Sequence, residues 1–563
     1  MKFHFVSRLL AATVAASFLA ACSGGGSTPN IPVPTAGPAN PTLGFTGLGD
    51  SLTAGEQSGG IFGGFAAAGT PGVPDPLCVL PDCQWAATGI GVPPTQENGF
   101  WSQIWMQMNG ATQAQYLLLA SPGSSVLPLI AGPGLGNQVV PASPSITKGP
   151  PFATLPGRNG CDSFNQAAYS QQTAATKVRE NPTTMAHDLG VPGMTLHEAI
   201  AMNQPPSPTC VPFPGAPPTL TGLQQLLSES ASYYPVLTGY PFSTSLTPLN
   251  AAASLHPTLT TVWLGANDVL HYAFSGGAFT AVDGIGGNTA QVQQDMTTVI
   301  TTLQKAGSKV VVANLPDVLG TGFYMSVAPL GPNQAAACGP GAPGSVQTFL
   351  ACVLVEAGLP YATADAIRAQ IAAAYGLNPG SGSNSAINGG YGYVTLGGTT
   401  AILTALGGGT QPNLDPNGTG SGLGSNYVTP ALANNIQTLN TTLNTGINAA
   451  AQATGVALVD IHTFFTDVAT ACPLKGTCND PLALQALTLN PGKCCSLAFG
   501  GGLLSFDGIH PSNTGYAFVA QDFIQAINTK YSLNIPALNL LAQYSGPFVP
   551  GGTIPYPDPY AQH

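Results

Sequence analysis

Short runs of β-branched and apolar residues, separated by amphipathic segments, most constrain the fold of this chain. The run Lys309-Val-Val-Val-Ala-Asn314 is one of these, and Val456 to Ile461 is another. A strand that lacks alternation of apolar and polar residues is typical of a parallel sheet covered on both faces. Because such strands alternate here with helical segments, the sequence predicts an α/β fold, a doubly wound parallel sheet flanked by helices.

The helical segments carry their own boundary signals. Before residue 309, apolar residues recur at helical spacing, and Gly307 stands where helices commonly end. A later amphipathic segment begins with Thr429, a suitable N-cap, and Pro430, a suitable first helical residue. The same spacing predicts a core-packing helix at 100–108 and a further helix at 514–528.

Three polar blocks lie at points that suit chemistry. Gly49-Asp50-Ser51-Leu52 follows an apolar run, Asn267 follows the strand-like residues 259–264, and Asp507 with His510 precedes the last helix. The carboxyl ends of parallel strands are where such folds place their sites. A serine hydroxyl needs a base, a group that orients the base, and donors for an oxyanion. These blocks supply each residue type.

In these blocks the chain resembles the SGNH hydrolases, also called GDSL esterases/lipases, over roughly residues 43–531. That family is marked by Ser, Gly, Asn and His in this order, and Ser51, Asn267 and His510 match three of the four. The resemblance implies a flavodoxin-like three-layer sandwich and ester hydrolysis without a metal or organic cofactor. It implies Ser51 as nucleophile, His510 as general base and Asp507 as its orienting carboxylate. The expected oxyanion donors are the backbone N–H groups of Ser51 and the marker glycine, with the Asn267 amide.

Two segments compete for the marker glycine. One contains Gly123 and the other contains Gly193. We favour Gly193 as an oxyanion donor, because a strand-like run precedes it and a helical segment follows. Asp188 stands where related chains often carry Asn, so this block departs from the family pattern. With this choice, residues 124–182 are expected to be an irregular insertion.

A second insertion is predicted at about residues 320–427, where Gly, Ser, Asn and Thr dominate and a helix-like piece spans 362–374. It would be a lid, a specificity subdomain or mere decoration, and the sequence does not separate these interpretations. The hydrolase domain would occupy residues 42–535, and a Pro-rich tail would occupy residues 536–563.

The first 22 residues have the features of a targeting signal. A basic start precedes the apolar run 9–21, which is too short to span a bilayer as a mature helix. The run ends at Cys22 in a pattern similar to a bacterial lipoprotein processing site, so Cys22 is the expected lipid anchor. Ser23 favours the outer membrane, residues 23–41 suit a flexible tether, and ordinary secretion is the alternative.

Composition agrees with export and excludes some partners. The formal net charge is −11 and no basic run is present, which argues against nucleic acid. The chain has 11 cysteines, so ten remain without Cys22, an even number that suits disulfides in an exported protein. The absence of zinc-type Cys-x-x-Cys pairs argues against a metal site. The expected local pairs are Cys78/Cys83, Cys161/Cys210 and Cys338/Cys352, with Cys472, Cys478, Cys494 and Cys495 forming two more of undetermined connectivity.

The sequence thus predicts a lipid-anchored serine esterase of the cell envelope. Its ester substrate remains open between a lipid, a short-chain ester and an acetylated glycan. The rival hypothesis is a non-catalytic surface lipoprotein that binds glycan or lipid through its Gly-rich insertion. Because Ser51, Asn267 and His510 are all present, the enzyme is favoured. His271 is a candidate for the pocket wall but not for the base.

Overall fold

The computed structural model describes the chain in several stretches. They are residues 44–56, 60–61, 96–110, 135–141, 152–156, 186–202, 247–274, 276–277, 288–335, 338, 348–356, 358–380, 389–416, 426–470, 478–489, 503–505 and 507–540. The predicted lipid anchor Cys22 and the alternative glycine, Gly123, lie outside these residues.

Strands and helices alternate along the described chain. The strands are β1 Phe45–Gly49, β2 Gly60–Ile61, β3 Leu135–Pro141, β4 Phe152–Pro156, β5 Asp188–Gly190, β6 Leu259–Trp263, β7 Lys309–Ala313, β8 Tyr324–Ser326, β9 Tyr393–Thr395, β10 Tyr427–Val428 and β11 Ala457–Val459. The helices are α1 Phe100–Asn109, α2 Glu198–Ala201, α3 Pro248–Ser254, α4 Ala266–Phe274, α5 Thr289–Lys305, α6 Pro332–Ala335, α7 Leu350–Glu356, α8 Tyr361–Ala374, α9 Leu396–Gly408, α10 Pro430–Thr454, α11 Ile461–Ala469, α12 Pro481–Leu489 and α13 Asn513–Tyr531.

The central sheet has five strands in the order β11-β7-β6-β1-β5, and every pairing in it is parallel. When these five strands are renumbered 1 to 5 along the chain, their order in the sheet is 2-1-3-4-5, which is a doubly wound order. The order of the strands reverses between the neighbouring strands β1 and β6, and this position is the topological switch point. Ligands of such sheets bind at the carboxyl ends beside this switch point. The predicted α/β fold is therefore confirmed.

The strands beside the switch point are buried along their whole length. All five residues of β1 and all five of β6 are buried, which agrees with their lack of polar alternation. Gly49 at the end of β1 pairs with Trp263 on one side and with Gly190 on the other. The residues that follow these three strands therefore leave the sheet at a common edge.

Helices cover the sheet in two packed groups. In one group α5 packs against α10, and in the other α1 packs against α13. The second group is held by aromatic contacts: the Phe100 ring stacks on Phe523 at 4.9 Å between centroids and meets Trp263 edge-on at 5.4 Å. Aromatic pairs in such offset or edge-on arrangements stabilise beyond the area they bury.

Side chains cap the starts of two long helices, and the first of these caps is the predicted one. The Thr429 side chain accepts a hydrogen bond from the backbone N–H of Leu432 at 3.4 Å, and Pro430 is the first residue of α10. Ser512 caps α13 in the same way, through Gly515 N–H at 3.1 Å. Each cap satisfies a backbone donor that the first helical turn leaves unpaired.

Part of the second predicted insertion is an ordered subdomain, referred to below as the second subdomain. Strands β8, β9 and β10 form an antiparallel sheet, and helices α7 to α9 accompany it. A second apolar core lies here, and it includes Val327, Leu350, Leu354, Ile371, Leu377, Val394, Ile402 and Leu414. The lid, specificity and decoration interpretations all stay predictions.

Two other parts of the chain differ from expectation. Residues 124–182 are not irregular throughout, because β3 and β4 pair antiparallel and β2 joins them. The packed domain also continues beyond residue 535, since Leu538 and Leu540 are buried in the main core. The backbone N–H of Leu538 donates to the side chain of Gln521 in α13 at 2.8 Å, which holds this end in place.

One expected disulfide lies within the described residues. Cys338 and Cys352 are bonded with their Cα atoms 4.9 Å apart, and Cys478 is also disulfide-bonded. The remaining predicted pairs involve cysteines outside the described residues, namely Cys78, Cys83, Cys161, Cys210, Cys472, Cys494 and Cys495.

None of the described helices has both the length and the apolar character needed to cross a membrane.

The contact between α5 and α10 gives a first prediction. A Cβ atom on Gly446 would lie 2.6 Å from Cγ1 of Val292 and 3.0 Å from the backbone oxygen of Thr289. Gly446→Ala should lower the free energy of unfolding, because overpacking costs about 1–3 kcal/mol and the gain in helix propensity recovers at most about 1 kcal/mol. Urea denaturation measures the change.

Gly407 in α9 is the matched control. A Cβ atom there would meet nothing within 4 Å, so Gly407→Ala should be neutral or stabilising by up to about 1 kcal/mol. Equal gains in stability from both substitutions would contradict the close approach of α5 and α10.

Candidate active site

Ser51 lies in a tight turn directly after β1. The backbone N–H groups of Thr53 and Ala54 both donate to the carbonyl of Asp50 at 3.1 Å, and Glu56 N–H donates to the carbonyl of Ser51 at 2.9 Å. Oδ1 of Asp50 also accepts the N–H of Leu52 at 3.0 Å. This turn holds Ser51 at the carboxyl edge of the sheet.

Small residues let the Ser51 turn approach the sheet closely. A Cβ atom on Gly49 would overlap the Thr53 side chain, and one on Gly190 would overlap the backbone of Ala54. The turn therefore packs directly over the ends of β1 and β5. The glycine of the Gly49-Asp50-Ser51-Leu52 motif is required here for space.

His510 lies in the loop that leads into α13. Backbone hydrogen bonds close this loop, since Ser505 N–H donates to the His510 carbonyl at 2.8 Å and Ser512 N–H donates to the Leu503 carbonyl at 2.9 Å. Gly508 has a φ of 73°, a left-handed conformation that favours glycine. A Cβ atom on Gly508 would also lie 2.7 Å from the backbone nitrogen of Phe323.

A hydrogen-bonded chain of three side chains joins these two loops. Oγ of Ser51 lies 2.8 Å from Nε2 of His510. Nδ1 of His510 lies 2.8 Å from Oδ2 of Asp507. In the tautomer that donates Nδ1–H to the carboxylate, Nε2 accepts the serine hydroxyl. Ser51 is then poised to lose its proton to His510.

Asp507 is itself held in place. Its Oδ1 accepts the backbone N–H groups of Ile509 at 2.8 Å and His510 at 2.9 Å, and the hydroxyl of Ser505 at 3.2 Å. Burial raises the pKa of Asp507, but the charge of His510 and these hydrogen bonds outweigh it and hold the pKa below its usual value. Asp507 is thus an ionised carboxylate at neutral pH.

Asn267 and the loop after β5 meet beside Ser51. Asn267 lies in the first turn of α4, and its Nδ2 donates to the carbonyl of Met194 at 3.2 Å. The carboxylate of Asp268 accepts Leu196 N–H at 2.9 Å. These bonds tie the loop that carries Gly193 to the start of α4. Gly193 has a φ of 75° and follows β5, the neighbour of β1.

A mainly apolar cleft of about 520 Å³, open solvent included, adjoins Ser51. Ser51, Asn267 and His510 all line it. The apolar part of the wall includes Leu52, Trp263, Leu270, Val318, Phe465 and Ile509. His271, a candidate for the pocket wall, is not among the described residues that line this cleft. Burial lowers its pKa to about 4.

Two carboxylates near His510, those of Asp50 and Glu56, had no predicted role, and Glu56 lies outside the three polar blocks. Burial lowers the pKa of His510, but the carboxylates of Asp507, Glu56 and Asp50 outweigh it and raise the pKa to about 9. The distance from Nε2 of His510 to Oε2 of Glu56 is 3.9 Å. The sequence held one signal for Glu56: it is an acidic residue that directly follows the small residues 53–55, shortly after Ser51.

The structure brings together four of the predicted positions: Ser51, Asn267, Asp507 and His510. Gly193 lies in the adjoining loop. Gly123 and Cys22 lie outside the described residues, so they are not placed. The geometry leaves the catalytic roles of the four as predictions.

Asp50 gives a second prediction. Its Oδ2 is buried and has no hydrogen-bond partner among the described residues, and burial raises its pKa from 3.8 to about 7. The folded protein thus holds this proton more tightly than the unfolded chain, so the free energy of unfolding falls as pH rises from about 4 to about 7. In Asp50→Asn the free energy of unfolding should fall less over this pH range, by at most about 4 kcal/mol. Urea denaturation at several pH values measures the difference.

Asp365→Asn is the control for Asp50→Asn. The side chain of Asp365 is 37% exposed in the second subdomain and pairs with Arg368. Its substitution should leave the pH dependence of unfolding as in the wild type. If Asp50→Asn is no flatter than Asp365→Asn, the account of Asp50 is wrong.

Comparison with known proteins gives one family match. Residues 409–523 match the model of the family described as GDSL-like Lipase/Acylhydrolase. This segment is about a fifth of the chain, and it contains Asp507 and His510 but not Ser51 or Asn267. Neither the curated proteins nor the solved structures give a match. The matched segment is similar to the GDSL-like lipases and acylhydrolases, and the parallel sheet is consistent with this similarity.

Proposed function

We propose that this protein is a serine ester hydrolase. The observation that carries the proposal is the chain from Ser51 Oγ through His510 to Asp507, with 2.8 Å at each link. A serine within hydrogen-bond distance of an imidazole, which a carboxylate orients in turn, is the arrangement that activates a hydroxyl for acyl transfer. The family match supports the same class of reaction.

In the first step, Ser51 Oγ attacks the ester carbonyl carbon. Nε2 of His510 takes the hydroxyl proton as the bond between Oγ and carbon forms. Asp507 stabilises the resulting imidazolium through Nδ1–H, and it stays ionised because its own pKa is lowered. General base catalysis of this kind contributes roughly 10²–10⁴-fold to the rate.

The carbonyl oxygen becomes negatively charged in this step and needs donors. The backbone N–H of Ser51 follows the end of β1, the Asn267 amide lines the same cleft, and Gly193 lies in the loop tied to α4. We assign the oxyanion to these three groups. Donors fixed before the reaction stabilise the developing charge without having to reorganise.

The second half of the reaction reverses the proton's path. The proton on Nε2 passes to the alcohol oxygen as the ester C–O bond breaks, which leaves an acyl group on Ser51. Water then gives a proton to Nε2 and attacks the acyl carbon, and Ser51 recovers its proton as the acid is released. No step in this sequence needs a metal ion or an organic cofactor.

The cleft favours an ester with an apolar acyl group. Trp263, Leu270 and Phe465 form part of a wall with few polar atoms, so an acyl chain of a lipid or a short-chain ester gains by leaving water there. An acetyl group on a glycan would cover less of this apolar wall. Hydrolysis rates for nitrophenyl esters of graded chain length separate these substrates, and we expect chains longer than acetyl to be preferred.

We also propose that the mature protein is tethered to the cell envelope through lipidated Cys22. The proposal rests on the basic start, the short apolar run and Cys22 at its end. A tether over residues 23–41 would let the folded domain reach ester substrates at or near the membrane surface.

The catalytic assignment predicts unequal effects of three substitutions. Ser51→Ala should remove nearly all ester hydrolysis and leave the fold intact, because the hydroxyl contributes little to packing. Asn267→Ala should lower kcat by roughly 10²–10³-fold through loss of one oxyanion donor. The double variant should be no slower than Ser51→Ala, since both groups serve one step. Steady-state kinetics measure these changes.

Ser254→Ala, in α3, is the matched control for the serine and should retain wild-type kcat. Its hydroxyl donates to the Ala251 carbonyl at 2.7 Å within the same helix. Full esterase activity in purified Ser51→Ala protein would refute the assignment. An absence of turnover in the wild type with every ester would favour the non-catalytic binding hypothesis.

The anchor predicts that Cys22→Ala abolishes fatty-acid labelling of the protein in cells, because no thiol remains at the processing site. Metabolic labelling with a palmitate analogue measures this. Ser23→Ala, one residue away, keeps the thiol and should still be labelled. Labelling that survives Cys22→Ala would refute the anchor without bearing on the esterase.

A further inference from the structure

We propose that Glu56 is a positioning residue for His510, the catalytic base. The carboxylate of Glu56 faces Nε2 of His510 and stabilises the imidazolium that forms when Ser51 loses its proton. The inference rests on the proposed ester hydrolysis and adds to it the residue that sets the working pH. Glu56 stands outside the Ser, Gly, Asn and His markers of the family.

Glu56 is fixed where it can act on the ring. Its N–H donates to the carbonyl of Ser51 at 2.9 Å, and its own carbonyl accepts the hydroxyl of Tyr516 at 2.8 Å. The backbone of Glu56 is thus tied both to the nucleophile's turn and to α13. Oε2 lies 3.9 Å from Nε2 of His510, and both side chains are only 13% exposed.

Each ring nitrogen of His510 faces a different carboxylate. Asp507, from the same loop, accepts Nδ1–H at 2.8 Å. Glu56 faces Nε2, the nitrogen that lies 2.8 Å from Ser51 Oγ. Because 3.9 Å is too long for a hydrogen bond, Glu56 acts through its charge and leaves the serine contact intact.

Among the described residues, the other titratable groups around the ring are Asp50 and Tyr516. Asp50 lies at the start of the Ser51 turn, and its carboxylate faces inward to Leu52 N–H. Tyr516, from α13, is a phenol whose pKa is raised by burial and by the nearby carboxylates, so it carries no charge. Within the described residues, burial lowers the pKa of His510, but the carboxylates of Asp507, Glu56 and Asp50 outweigh it and raise this pKa to about 9.

The charge of Glu56 has two opposite effects on the reaction. It favours proton transfer from Ser51 to Nε2, because the imidazolium is flanked by negative charge on both sides. It also keeps more of the resting histidine protonated at neutral pH, and a protonated histidine cannot accept the serine proton. The enzyme should therefore gain activity as pH rises well above ~6.5, the usual pKa of histidine. Burial raises the pKa of Glu56, the charge of His510 lowers it and the charge of Asp507 raises it, so this pKa lies above its usual value. Glu56 acts on the ring in its ionised form.

Glu56→Gln tests the inference, since it removes the charge and nearly preserves the shape. The acidic limb of kcat/KM against pH should move to lower pH by about one unit or more, because an opposite charge within ~4–6 Å changes a pKa by roughly 1–3 units. At the alkaline plateau the variant should be slower than the wild type. A purely structural role of Glu56 would lower activity without moving the limb.

Two variants serve as controls. Glu56→Asp keeps a carboxylate in the turn, so its acidic limb should lie closer to the wild type than that of Glu56→Gln. Asp365→Asn removes one negative charge from the second subdomain and should leave the limb unchanged. A limb that moves equally in Asp365→Asn and Glu56→Gln would overturn the role of Glu56, because the net charge alone would then explain it.

NMR titration of the His510 ring tests the contact without relying on turnover. The His510 pKa should lie above ~6.5 in the wild type and fall in Glu56→Gln. A wild-type pKa at or below ~6.5, or no difference between the two proteins, overturns the inference. If a fluorophosphonate probe fails to label Ser51 and no ester is hydrolysed, the proposed function fails instead. A lowered pKa in Glu56→Gln would still support the contact in that case.

Discussion

The parallel pairing of β1 between β5 and β6 is the constraint on which the site depends. Gly49 pairs with Gly190 on one side and with Trp263 on the other, and Val191 N–H donates to the Gly49 carbonyl at 2.8 Å. Because all three strands end together, the serine turn, the Gly193 loop and the start of α4 emerge side by side. His510 then needs only to reach this edge from the loop before α13.

Much of this arrangement could be predicted from the sequence, because local signals carried it. Runs of β-branched and apolar residues identified β6 and β7, and Thr429 and Pro430 marked the start of α10. The second subdomain could not be predicted in the same way. Its strands have only two or three residues, too few for periodicity to reveal, and their partners lie far apart in sequence. The burial of Leu538 likewise depends on a distant contact with Gln521 in α13.

The electrostatics of the site also lay beyond sequence reasoning. The motif predicts His510 as a base and Asp507 as the carboxylate that orients it. The pKa of His510, however, depends on every charge that folding brings near its ring. Glu56 reaches His510 only because a tight turn returns the chain towards Ser51, and Asp50 is buried beside the same turn. A sequence motif therefore fixes the type of chemistry better than the pH at which it proceeds.

The backbone contact between Gly508 and Phe323 joins the histidine loop to the first residues of the second subdomain. Phe323 N–H donates to the Gly508 carbonyl at 2.9 Å, and Phe323 immediately precedes β8. The subdomain is thus not a separable module. An engineered chain shortened by deletion of the region around β8 would lose the donor that braces the loop of His510. A replacement segment would have to supply a new N–H group at this point to hold His510 in the same position.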